Sequence, residues 1–317
     1  MAFAGSLLAF CIRTLEWCIG PTLSLSVWRT RSLIIAERYL DAVAYSDPQL
    51  STWPDSARLH YCAGRAALAL VKRDYARCRM AYAATLNPDE PKYRFGLAYC
   101  AQLLGQFETA EREYLAVLER TPGDMNAKIN LALLYKNQGH YKRALVHFRD
   151  VLDRQPKSAK ALYGSALSEY RLENLESAEA YANRCIKLNR RDTKVITLLA
   201  RIQHKQGRRA EAIEAFQLAL SIEPDEGTTL SALGRIYGES DPPKARQFFR
   251  EALLVARPDV SAHLDLGQCY EALRDYESAR SEYILFARYH DGPSAKWARR
   301  RIKRMLEKES EKRTHGE

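Results

Sequence analysis

A period of 34 residues governs this chain. Residues 91–124 read PKYRFGLAYCAQLLGQFETAEREYLAVLERTPGD, and residues 125–158 read MNAKINLALLYKNQGHYKRALVHFRDVLDRQPKS. Set one above the other, they agree by column. Ala98 stands over Ala132, Gly105 over Gly139, Phe107 over Tyr141, Ala110 over Ala144, Tyr114 over Phe148 and Pro122 over Pro156. Self-similarity at such a period marks a repeat architecture, in which each unit buries its apolar face only by stacking on its neighbours.

The columns have a physical meaning. Gly105 and Gly139 fall where one helical pattern ends and a second begins, and glycine turns the backbone there without a Cβ penalty. Pro122 and Pro156 follow the second helical run and stop it. Each unit is therefore predicted as helix A, a tight turn, helix B and a turn to the next unit. Ala98 facing Ala110 lets the two helices approach closely, where a larger side chain would overpack the contact.

The register extends over units starting at Ala57, Pro91, Met125, Ala159, Thr193, Gly227 and Val260. The eighth place holds Gly64, Ala98, Ala132, Ala166, Ala200, Gly234 and Gly267. The twentieth holds Ala76, Ala110, Ala144, Ala178, Ala212, Ala245 and Ala279, alanine in every unit. The twenty-fourth holds Met80, Tyr114, Phe148, Ala182, Phe216, Phe249 and Tyr283, nearly all large enough to fill the gap to the next unit.

A small eighth residue, alanine at the twentieth place, a ring at the twenty-fourth and proline at the thirty-second together resemble the tetratricopeptide repeat (TPR) family. The resemblance implies an all-α, right-handed superhelical solenoid of about seven helix-turn-helix repeats with a cap at each end. The implied repeats are 57–90, 91–124, 125–158, 159–192, 193–226, 227–259 and 260–293. It also implies a concave groove lined by the A helices, with ligand contacts at the second, fifth, sixth and ninth places. In this chain those places give Arg58, Tyr61, Arg65, Lys92, Phe95, Tyr99, Asn126, Asn130, Lys160, Tyr163, Lys194 and Arg201. The expected lining is basic with interleaved rings, and free of acids until Glu239 and Asp265. The five-residue clamp by which chaperone-binding relatives hold a terminal carboxylate is matched at only two places, Asn130 and Lys160; Phe95, Tyr99 and Gly164 depart from it.

The ends depart from the pattern. Residues 1–31 are weakly apolar, but Arg13, Glu16 and Gly20-Pro21 interrupt them. A spanning helix needs about 20 mainly apolar residues, and the start carries no Lys or Arg of a secretory leader. A cap or interfacial helix, a membrane anchor over residues 3–28 and a cleaved signal all remain open. Residues 32–46 read as one amphipathic helix ended by Asp47-Pro48, so 32–56 is expected to be a degenerate half-repeat. A basic capping helix is expected over 294–308, with a disordered tail at 309–317.

The net charge is +10, and the last 24 residues hold nine Lys/Arg against four Glu. Seven cysteines without a C-x-x-C pair argue for reduced thiols rather than a disulfide or zinc framework, with Cys185 in a packing column. No phosphate loop, metal-ligand spacing or nucleophile motif is present, so no cofactor, no metal and no catalytic residue is predicted. The leading expectation is a non-catalytic cytoplasmic adaptor that binds an extended, acidic segment of a partner protein in the groove. Two alternatives stay open: a membrane-associated assembly factor of a protein complex, and an RNA-binding helical array whose rings stack on bases.

Overall fold

The computed structural model describes residues 22–315 except 239, 256–258 and 260, with side chains up to residue 307. The described residues are helical with no strand. They divide into two compact units, one ending at Pro156 and the other starting at Lys157.

The first unit holds α1 (Leu23–Ile35), α2 (Tyr39–Thr52), α3 (Ala57–Ala69), α4 (Arg73–Leu86), α5 (Pro91–Leu103), α6 (Phe107–Arg120), α7 (Met125–Asn137) and α8 (Tyr141–Arg154). Each odd helix packs antiparallel on the even helix after it, and each hairpin packs on the next. Ala42, Ala76, Ala110 and Ala144 have no exposed surface, as the closest contact between paired helices requires. Ser56 and Asp124 cap α3 and α7, accepting from the amides of Leu59 (3.3 Å) and Ala127 (2.9 Å).

The expected helix over 32–46 is corrected here. The chain turns at Ala36–Arg38, with Glu37 at φ 57°, and two helices replace one. Leu23 lies 34 residues before Ala57, and Glu37 lies 34 before Val71, the left-handed turn residue of the next hairpin. The repeat therefore begins one full hairpin earlier than the sequence suggests. Three of its buried positions are polar and satisfied: the Ser26 hydroxyl donates to Gln49 Oε1 (2.8 Å), that of Thr30 to the Ser26 carbonyl (2.9 Å) and that of Ser46 to the Val43 carbonyl (3.1 Å). Pro48 lies inside α2 rather than ending it. Residues 23–28, part of the suspected anchor, belong to α1; residues 1–21 lie outside the described residues.

The second unit holds α9 (Ala159–Arg171), α10 (Leu175–Leu188), α11 (Thr193–Lys205), α12 (Arg209–Ile222), α13 (Gly227–Tyr237), α14 (Pro242–Leu254), α15 (Ala262–Ala272), α16 (Tyr276–Tyr289) and α17 (Pro293–His315). Ala178, Ala212, Ala245 and Ala279 are fully buried at its helix crossings. A Cβ on Gly267 would lie 2.5 Å from the ring of Tyr283, so the glycine is what lets that ring seat. Asp241 caps α14 through the Lys244 amide (3.1 Å), with Pro242 in its first turn.

The C-terminal helix is longer than expected and runs through the predicted tail to His315. The sequence LEKESEKR consists largely of strong helix formers, and Lys303 pairs with Glu307 one turn on (3.8 Å). Part of its basic run anchors it: Arg301 bonds Glu271 (2.7 Å), and Arg299 donates to the Ala287 carbonyl (3.0 Å). Among the described residues no helix is long and apolar enough to cross a membrane.

Candidate functional site

Seven of the twelve predicted contact residues stand exposed on A helices. They are Arg58, Arg65, Lys92, Tyr99, Asn126, Lys160 and Lys194, while Tyr61, Phe95, Asn130, Tyr163 and Arg201 are half-buried. Side chains at the second, fifth and ninth places share a helix face because 3, 4 and 7 residues return to nearly the same angle. The predicted residues are divided between the A helices of the two units.

In the second unit a cleft of about 270 Å³ opens beside α11. Lys194, Thr197 and Arg201 line it from α11, Tyr163 and Leu167 from α9, and Thr228 and Thr229 from α13. Three predicted residues, Tyr163, Lys194 and Arg201, thus come together; Lys160 lies outside this lining. Burial pushes the Tyr163 hydroxyl up, and the positive charge of Arg201 works against it. The hydroxyls of Thr197 and Thr229 approach to 3.3 Å, and Thr228 donates to Glu226 Oε1 (2.7 Å). The cleft thus offers two cations, hydroxyl groups and an apolar floor at Leu167 and Leu198.

The expectation of an acid-free lining is corrected. Glu223 and Glu226 stand in the same cleft, contributed by the turn between α12 and α13. In the first unit Glu90 pairs with Lys92 (2.9 Å). Glu90 and Glu226 occupy the residue just before an A helix, where a carboxylate faces the positive end of the helix dipole. Glu90 precedes the second place by two residues, and its extended backbone lets its side chain reach Lys92. Asp265, expected as a lining acid, instead pairs with Arg235 (2.7 Å), and burial pushes its carboxyl up.

In the first unit the rings are engaged. Tyr61 packs on Tyr93 at 5.2 Å, and Phe95 meets Tyr114 edge-on at 5.7 Å. Arg65 stands over Tyr61 at 6.0 Å, and Lys92 over Tyr93 at 5.0 Å. Burial pushes the Cys62 thiol up, and the charges of Arg31, Arg65, Arg58 and Lys92 work against that rise. Arg58 and Arg65 stand at the second and ninth places of α3, on either side of Cys62 in sequence. Arg31 was hidden from the sequence reading because its hairpin was not recognised; it occupies the ninth place of that hairpin. Cys62, Cys100, Cys185 and Cys269 are buried, Cys185 in the packing role expected for it. No group of three His, Cys, Asp or Glu among the described residues is placed to hold a metal ion.

The repeated hairpins, the buried alanine at each crossing and the ring wedged between units define a TPR protein. Residues 56–295 match the cilia and flagella-associated protein 70 C-terminal domain family, and the chain belongs to that family. It is 25% identical over 165 residues to the type IV pilus assembly protein PilF of Pseudomonas aeruginosa, an alignment covering 51% of this chain and 66% of that protein. The chain spans between 17% and 66% of the length of the curated relatives it matches. Among solved structures it resembles a TPR protein from Parabacteroides merdae (TM-score 0.63, 18% identity, 77% of this chain and 97% of that one). It also resembles YrrB, described as a TPR protein with an unusual peptide-binding site (TM-score 0.52, 18% identity, 58% of this chain and 95% of that one).

Proposed function

We propose that this protein is a non-catalytic adaptor that holds an extended segment of a partner protein against the A-helix face of its repeats. The cleft beside α11 carries the reading. Lys194 and Arg201 are seven residues apart on one helix and hold matching positions along it. Tyr163 supplies a ring with a polar tip, and the threonines supply donors and acceptors for a peptide backbone. The peptide-binding site named for YrrB supports a comparable use of this fold. The two cations favour a segment with an acidic side chain, while Glu223 and Glu226 penalise a second acid at their end of the cleft.

Selection of random displayed peptides on the full chain tests the proposal. The wild type is expected to recover sequences enriched in Asp or Glu beside an apolar residue. The variant Tyr163→Ala with Lys194→Glu is expected to lose them while keeping its melting temperature. Recovery of the same peptides by that variant would remove the cleft as the binding site.

A further inference from the structure

The basic helix α17 divides its cations between two duties. Residues 292–306 hold six Lys/Arg and no acid, whereas an exposed helix face ordinarily mixes both signs. Three of the six are used within the protein. Arg301 pairs with Glu271 (2.7 Å), Arg299 donates to the Ala287 carbonyl (3.0 Å), and Lys303 pairs with Glu307 (3.8 Å). The other three, Lys296, Arg300 and Arg304, are exposed and make no ion pair among the described residues. Arg300 reaches only the Lys296 carbonyl of its own helix (3.4 Å). These three stand four residues apart on one ridge of α17, about 6 Å between neighbours along the axis. Trp297 lies on the same side, three residues before Arg300 and seven before Arg304. It meets Tyr283 edge-on at 5.5 Å and still keeps 40% of its surface exposed.

We infer that this face of α17 binds single-stranded nucleic acid. It shares no residue with the cleft beside α11 and is independent of the adaptor reading. The row of cations neutralises successive phosphates of one strand, and the long stems of Lys and Arg adjust to their spacing. Trp297 beside them supplies a ring on which an unpaired base stacks. A lipid surface fits less well. A helix that lies in a membrane interface needs its apolar face free, and here Ala295, Ala298 and Met305 are buried with Tyr283 and Phe286 of α16. An acidic protein segment satisfies the cations but gives the ring no flat partner.

The test is fluorescence anisotropy of the full chain with a labelled oligouridine of about twelve bases at several salt concentrations. Affinity is expected to fall with salt at a log–log slope of about −2, the value for three phosphates of a single strand. Arg300→Ala and Arg304→Ala should each weaken binding about two- to fivefold at low salt and make the slope shallower by about 0.7. Trp297→Leu, which keeps an apolar contact for Tyr283, should weaken it at least about fivefold and leave the slope unchanged. Lys187→Ala, an exposed lysine of α10, should alter neither, and the arginine variants should melt with the wild type. No binding, a slope indifferent to Arg300→Ala and Arg304→Ala, or an equal loss in Lys187→Ala would overturn the inference. So would unchanged affinity in Trp297→Leu, which would remove the ring from the site. Equal or tighter binding of an oligoglutamate peptide of the same length would overturn it in favour of an acidic protein, and of phosphatidylserine vesicles in favour of a membrane.

Discussion

The A-helix faces of the two units use the same places of the repeat for different chemistry. In the first unit the cations stand over rings, and Arg31, Arg58 and Arg65 face solvent around a filled centre. In the second, Lys194 and Arg201 border an open cleft that also contains Glu223 and Glu226. The helices are equivalent; the difference lies in what fills the fifth place and in which acids the preceding turns supply. Tyr61 and Phe95 are covered by other rings, whereas Thr197 is too small to fill the space beside it. Repeat register decides where a side chain stands, and its neighbours decide whether it makes a pocket or a plateau.

Packing gives the largest expected contrast. Gly267→Ala should destabilise by about 1–3 kcal/mol, because its Cβ would meet the Tyr283 ring at 2.5 Å. That ring cannot easily yield: its hydroxyl donates to Glu271 (2.9 Å) and Trp297 meets it edge-on at 5.5 Å. Gly96→Ala in the first unit looks as tight, 2.6 Å from Met80 Sδ, but a thioether can rotate away. Alanine also gains helix propensity, so this change should fall within about 1 kcal/mol of neutral. Thermal melts of the two variants check the ranking; equal losses would mean that Met80 is as rigid as the ring. Ala144→Leu and Ala212→Leu should each cost roughly 1–3 kcal/mol, since both sites lack any exposed surface. A harmless leucine at either site would break the equivalence of the crossings.

Smaller effects come from the turns. Gly105, Gly139 and Gly207 adopt φ between 73° and 81°, and Val71 holds the same place at φ 61°. A β-branched residue is strained there. Val71→Gly should therefore stabilise by up to about 1 kcal/mol, less the entropy that glycine adds to the unfolded chain. Chemical denaturation reads this directly, and a loss of stability would show that Val71, 67% exposed, is not strained.

The smallest contrast concerns pH. The bond from Lys128 holds the Asp150 carboxyl below its ordinary value. A lowered folded pKa stabilises fully above the unfolded carboxylate range and is lost as pH falls through the folded value. Burial instead raises Asp265, so its contribution is best at low pH and declines as pH rises from the unfolded value through the folded one. Asp150→Asn should flatten the acid side of the melting profile, and Asp265→Asn should change it in the opposite sense. Profiles that move together would place both carboxylates in similar surroundings.

Much of this was legible in the residues. The alanines at the twentieth place are the buried crossings, and Tyr163, Lys194 and Arg201 meet in one cleft. The first hairpin was not legible because its key places are polar: Thr30 stands where a small apolar residue is usual, Ser46 where a ring is usual, and Glu37 where glycine marks the turn. Hydrogen bonds make those choices tolerable, and sequence pattern does not display them. The acids near the cations were missed for another reason. Glu90, Glu223 and Glu226 belong to connecting turns, outside the places read for contacts, and only folding carries them to the helix face.

The pair between Lys92 and Glu90 gives the first unit a resident competitor. A tethered carboxylate at 2.9 Å acts at a local concentration that a free segment does not reach at one point of contact. A single stray acid therefore gains little at Lys92. Glu90 thereby leaves Lys92 internally balanced, so that this end of the A-helix face presents less charge than its residue types alone imply.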